Sequence, residues 1–299
     1  MDRTRAFFAA RGLLEVETPM LSAAAPTDPH IHSLATSLRG VGARFLHTSP
    51  EFPMKRLLAA GFGDCWQACR VFRDGEVGRL HNPEFTLVEW YRVGWDDAAL
   101  MDEVEAFVRT ALAGYRTLGP GERVTYADAF LRATGVAHLE ADADACARIA
   151  AGAGVQAPAG LTLPQWHDLI VGAVAMPMLG CDGLCFITDF PAEQAALAKL
   201  RGRPPVAARF ELVIDGVELA NGYHELTDAR EQSARFHADN AARTAFGSPA
   251  MPVDPYLIAA LEHGLPDCAG VALGFDRLAM LALGADHIAE VLAFPADRA

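Results

Sequence analysis

Lysine is nearly absent from this chain: of its 25 basic residues only Lys55 and Lys199 are lysines, and the other 23 are arginine. The sequence alone attaches no mechanism to that bias. Basic charge is also scarce overall, with 38 acidic residues against 25 basic ones, a formal net charge of -13 and a pI near 5.2. No global field attracts nucleic acid, so broad tRNA or DNA binding is disfavoured. Long apolar runs are missing too. The longest, Leu169 to Cys181, has 13 residues and includes Pro177, short of the roughly 20 that span a bilayer. Near the start Asp2, Arg3, Arg5 and Arg11 interrupt the apolar residues, which leaves no signal-peptide h-region and makes a cytoplasmic location the expectation. Six cysteines in 299 residues form no disulfide framework, and Cys65/Cys69 and Cys181/Cys185 lack zinc-site spacing. Finally, neither phosphate-cradling glycine loop, G-x-x-x-x-G-K-[ST] or G-x-G-x-x-G, occurs. Any nucleotide must therefore be held by side chains.

What the chain does have is a hairpin with chemistry on it. Cys65 to Phe72 is apolar and rich in β-formers, Phe85 to Val93 alternates, and a polar loop joins them. Alternation puts Phe85, Leu87, Glu89, Tyr91 and Val93 on one face. The loop supplies Arg73, Arg79, His81 and Asn82, donors suited to phosphate oxygens. A second hairpin is marked by Asp215-Gly216 between Phe210–Ile214 and Val217–Gly222. A two-residue turn pairs Val213 with Glu218, so Glu211 lies diagonally from Glu218 on one face, where two carboxylates could share a divalent cation. The same alternation sends Asn221 to the other face unless a bulge intervenes, and Gly222 permits one.

Along the rest of the chain, helices are expected at residues 2–12, from Ser49-Pro50-Glu51 to Leu58, 95–112, 227–246, 254–263 and from Phe275. Strands are expected at 13–19, 31–38, 44–48 and 270–274, the first as an edge that could pair with another subunit. The Ala-, Gly- and Pro-rich residues 115–205 read as an inserted, mainly helical subdomain, with helices at 126–134, 142–151 and 163–175 and a strand at 184–189.

Strand-Pro19, then Phe72-Arg73 with His81-Asn82-Pro83-Glu84-Phe85, then Gly274-Phe275-Asp276-Arg277 resemble motifs 1, 2 and 3 of the class II aminoacyl-tRNA synthetases. Thr48-Ser49-Pro50-Glu51, Asn221-Gly222 with Glu225, and Thr227-Asp228-Ala229 are similar to the lysyl-tRNA synthetase branch. Phe85 to Arg92, Ala220 to Glu231 and the ending Ala293 to Ala299 look closer still to the branch that modifies elongation factor P.

The resemblance implies an α+β fold, the class II catalytic domain, with a six-stranded antiparallel sheet flanked by helices. It also implies a motif 1 homodimer and, because only about a dozen residues precede motif 1, no anticodon-binding domain. It implies ATP- and Mg²⁺-dependent activation of lysine or (R)-β-lysine as an adenylate, with transfer to a lysine side chain of elongation factor P and no stable tRNA binding. Arg73 then matches the α-phosphate arginine, and Phe85 with Arg277 the pair enclosing adenine. His81 and Asn82 match ATP contacts, and Gly75, Glu218, Leu219 and Gly274 fall at further nucleotide positions. Glu211 and Glu218 match the metal carboxylates, and Ser49, Glu51, Glu89, Tyr91, Asn221 and Glu225 match the lysine pocket. Two positions depart from the pattern. The usual Arg-x-Glu of motif 2 is Arg73-Asp74-Gly75, with Glu76 one place late, and Ala272 stands where lysyl-tRNA synthetases have glycine. A truncated synthetase acting on RNA or a small molecule, and a non-catalytic lysine- or ATP-binding paralogue, are the rival expectations. The second should have lost its charged site residues, yet Arg73, Glu211, Glu218 and Arg277 are all present.

Overall fold

In a computed structural model, residues 1–181 and 183–299 are described, and the chain divides into two compact units: Met1–Thr117 with His224–Ala299, and Leu118–Tyr223. The second unit is wider than the insert expected at 115–205, because it takes in the Asp215-Gly216 hairpin.

In the first unit four strands lie side by side in the order Leu14–Glu15, Cys65–Phe72, Glu84–Val93, Cys268–Gly274. The edge strand is parallel to its neighbour, Leu14 facing Cys65. The others are antiparallel, Gln67 facing Glu89 and Gly270 facing Tyr91. The expected strand over residues 13–19 shrinks to Leu14–Glu15, since Pro19 cannot donate to a ladder and the intervening residues leave the sheet. A smaller antiparallel sheet pairs Gly42–Leu46 with Ala35–Leu38 and Leu21–Ser22. Helices Asp2–Ala9 and Asp97–Leu112 close one side. There Phe8 stacks on Trp66 at 4.8 Å and on Phe107 at 5.3 Å, with Trp90 at 5.1 Å. Burying each such ring contributes about 2–3 kcal/mol, which fixes the strand pair that carries the site.

The two faces of Glu84–Val93 divide the work. Trp90 and Arg92 point to the structural side, where Arg92 binds Asp64 at 2.8 Å and forks onto Glu103, which also accepts from the Trp90 indole at 3.1 Å. Glu89 and Tyr91 point the other way.

In the second unit Gly121–Thr125 runs parallel to Leu184–Pro191, which pairs antiparallel with Val206–Ile214, and this strand pairs antiparallel with Val217–His224. Helices Tyr126–Thr134, Ala143–Gly152 and Leu163–Ile170 pack with Phe130, Ile170, Ile187 and Val213 in one apolar cluster. Thr125 and Asp142 cap the first two by accepting from Asp128 N and Ala145 N.

Candidate functional site

The helix Glu51–Ala59 begins on Pro50, not on a side-chain cap. Ser49 accepts from Glu51 N at 3.0 Å and donates to Glu89 Oε2 at 2.7 Å. Tyr91 donates its hydroxyl to the other Glu89 oxygen at 2.8 Å. Glu89 and Tyr91 are almost wholly buried, 1% and 2% exposed. Burial first, then the nearby Glu51 charge, pushes the Glu89 carboxyl up to about 8, against the lowering effect of its two hydroxyl donors.

Glu225 completes the pocket. Its backbone N–H is fixed by Cys268 O at 2.9 Å, and its carboxylate meets Lys55 Nζ at 2.6 Å. The same ammonium meets Glu51 Oε1 at 2.6 Å, one helical turn away. Lys55 was not singled out as a site residue, because on the sequence it reads as one more polar helix position. Burial lowers its pKa, but the Glu225 and Glu51 carboxylates outweigh that and hold it raised. Gly270 leaves room for this arrangement. A Cβ there would run into the Tyr91 ring edge and lie 2.5 Å from Glu225 Oε1.

The same unit carries the motif 2 and motif 3 side chains. Phe85 sits four residues before Glu89 on the same strand face, about 13 Å along it. The Arg73 guanidinium lies 5.2 Å from the Phe85 ring centroid, and its Nε is buried with no hydrogen-bond partner among the described residues. Arg73 also contacts Glu76 at 3.6 Å. Arg277 bonds Leu80 O at 3.3 Å and His81 Nε2 at 2.8 Å. Asn82 is engaged at both ends, donating to Glu84 O at 2.6 Å and accepting from Ala296 N at 2.9 Å, so it fastens the C-terminal residues to the loop. Gly75 has φ +79°, a left-handed turn that suits glycine. Gly274 ends its strand one residue before the helix Phe275–Leu283.

In the second unit the Asp215-Gly216 turn pairs Ile214 with Val217 and Val213 with Glu218. The register then shifts between Leu212 and Val213, so that Glu211 faces Asn221. The bulge falls in the Leu219 region and not at Gly222, and it brings Asn221 onto the face that Glu211 and Glu218 share. Leu219 is buried as the extra residue. Glu211 is bound by Arg209 at 2.5 Å. Burial drives its carboxyl up to about 7, with Arg209 opposing and Glu218 adding repulsion. The Asn221 side-chain oxygen is buried with no hydrogen-bond partner among the described residues. Two carboxylates on one face form an all-oxygen donor pair, which fits Mg²⁺, a cation commonly held by one or two carboxylates plus water and phosphate oxygens.

A motif 2 loop joining two antiparallel strands and a motif 3 strand running into a helix, beside a buried acidic pocket, define the class II synthetase type of catalytic domain. The chain belongs to that family: residues 1–298 match the model of the class II tRNA synthetases (D, K and N). Among curated relatives, the elongation factor P–(R)-β-lysine ligase of Vibrio cholerae serotype O1 is 51% identical over the whole of this chain and 94% of its own length. The protein of the same name from Salmonella typhi is 47% identical over the whole of this chain and 93% of its own, and that of Vibrio vulnificus 49% identical over 97% and 91%. No helix among the described residues is long and apolar enough to cross a membrane.

Proposed function

We propose that this chain is an ATP-dependent ligase that activates lysine or (R)-β-lysine as an aminoacyl-adenylate and transfers it to a lysine side chain of elongation factor P. The observation that carries the proposal is the buried pocket of Glu51, Glu89 and Glu225, which suits a substrate with two ammonium groups, on the strand that also presents Phe85. The names of its relatives supply the acceptor. Arg73 would hold the α-phosphate and stabilise charge as the substrate carboxylate attacks phosphorus and pyrophosphate leaves. Arg277 and Phe85 would bracket adenine. The acceptor ε-amine would then attack the activated carbonyl, AMP would leave, and the amine would lose its proton to solvent. Positioning suffices for that second step. Glu211 and Glu218 would hold Mg²⁺, whose chemistry is to neutralise phosphate charge. The excess of acidic residues supports a protein acceptor over stable tRNA binding. Exposed Leu14, Met20 and Leu21 suit a homodimer contact through the motif 1 segment.

Pyrophosphate exchange with a panel of amino acids tests the activation step: lysine or (R)-β-lysine should support it, and uptake of only neutral amino acids would overturn the assignment. Glu211→Gln or Glu218→Gln should raise the Mg²⁺ concentration needed for exchange by roughly 10-fold while leaving the fold intact. An unchanged Mg²⁺ requirement in both variants would remove these residues from the metal site.

The pocket also sets a pH dependence. Glu89, pushed up to about 8, is mostly neutral below that value, and a second ammonium favours its ionised form. Apparent affinity for the substrate should therefore rise between pH 6 and 8, by at most ~10-fold per unit for one proton, and level off above. Glu89→Gln should flatten that slope. A wild-type KM independent of pH over this window would contradict the assignment.

A further inference from the structure

We propose that Lys55 is a positioning residue that determines specificity: its ammonium, held between Glu51 and Glu225, is a permanent third cation in a pocket of three carboxylates, leaving charge for the two ammonium groups of a diamino acid. The inference rests on the substrate assignment above.

The geometry makes Lys55 part of the pocket. Glu51 and Lys55 are one turn apart on the same helix, and Lys55 Nζ reaches both Glu51 Oε1 and Glu225 Oε2 at 2.6 Å. The lysine side chain is 1% exposed, so it is not a surface residue folded inwards. Glu89, the third acid, is held separately by Ser49 and Tyr91 hydroxyls.

Stability alone gives a poor reason for such a triad. Desolvating the three charged groups consumes most of their mutual attraction, and well-packed apolar replacements of buried ion networks are often neutral or stabilising. The residue type is also informative. This chain uses arginine at 23 of 25 basic positions, yet keeps lysine here. An ammonium is a compact charge that can sit between two carboxylates, whereas the planar guanidinium fork is wider and pairs best with one of them.

The charges then balance. Three carboxylates less one internal ammonium leave two negative charges, enough for two substrate ammonium groups when Glu89 is ionised. Without Lys55, three close carboxylates would compete for protons, and Glu51 and Glu225 would lose the group that fixes their orientation.

Two experiments test this. Because the chain has two lysines, labelling lysine with ¹⁵N at the ζ position gives two signals in the wild-type protein. The Lys55 ammonium should be protonated and protected from exchange, and should stay so when L-lysine or (R)-β-lysine is added. Loss of that protection on binding would show a placeholder that the substrate expels, and would overturn the proposal. In the second experiment, Lys55→Met should raise the KM for the diamino acid ~10-fold or more, with kcat and the KM for ATP nearly unchanged. A lowered melting temperature with unaltered KM would assign Lys55 to structure alone, and a lower KM would make it a competitor; either result overturns the proposal. If Lys55→Met does not fold, Lys55→Arg, which keeps one cation but widens it, should still raise the KM for the diamino acid, and an unaltered KM would overturn the proposal. If the wild type activates neither lysine isomer, the substrate assignment fails, and that failure is read separately from the Lys55 signal.

Discussion

Replacing Glu225 by glutamine is expected to raise the KM for lysine or (R)-β-lysine by roughly 10- to 100-fold, the equivalent of a charge-assisted hydrogen bond of about 1.5–3 kcal/mol. The loss arises twice over. A substrate ammonium loses a carboxylate, and the buried Lys55 ammonium keeps only Glu51 as its partner at 2.6 Å. Breaking a buried pair by removing one member costs about 3–5 kcal/mol, so Glu225→Gln should also lower the melting temperature. The KM for ATP should move little, because Glu225 faces Lys55, Gly270 and Tyr91. Pyrophosphate exchange measured against both substrates checks the split. An unchanged KM for the amino acid would contradict the pocket assignment.

Arg73→Ala should act on the other parameter, lowering kcat for adenylate formation by roughly 10²- to 10³-fold, the usual effect of removing a positioned group that stabilises developing charge. Arg73 has the geometry for it. Among the described residues its Nε is buried with no hydrogen-bond partner, and its ion-pair contact with Glu76 is loose at 3.6 Å. The same guanidinium lies over Phe85, so some loss of ATP affinity should accompany the fall in kcat. Lysine KM should be almost unaffected. A variant that kept most of its kcat would leave the phosphate without its proposed partner.

Much of the fold was legible because the signals were local. The alternation from Phe85 to Val93 and the apolar run from Cys65 to Phe72 match the observed strands within a residue. Asp-Gly gave the second hairpin its turn, with Asp215 and Gly216 both at positive φ. Helices were bounded by residues that do cap them, Asp96, Asp228 and Asp254 among them. What escaped depends on partners distant in sequence. The strand Gly121–Thr125 has little intrinsic signature and exists because it pairs with Leu184–Pro191. The bulge that turns Asn221 to the face of Glu211 shows only in the cross-strand register. The hydrogen bond from Ser49 to Glu89, 40 residues on, is set by the fold and not by the local Ser-Pro-Glu pattern. Lys55 was invisible for the same reason, since Glu225 reaches it from 170 positions away.

The most direct measurement is the intact mass of elongation factor P after incubation with this enzyme, ATP, Mg²⁺ and either lysine isomer, with charging of total tRNA followed in parallel. One added lysyl or β-lysyl group on elongation factor P, located by peptide mapping on a lysine side chain, is the expected result. Charging of tRNA should stay at background. Efficient tRNA charging with no mass change on elongation factor P for either isomer would contradict the proposal and assign the chain to a synthetase acting on RNA.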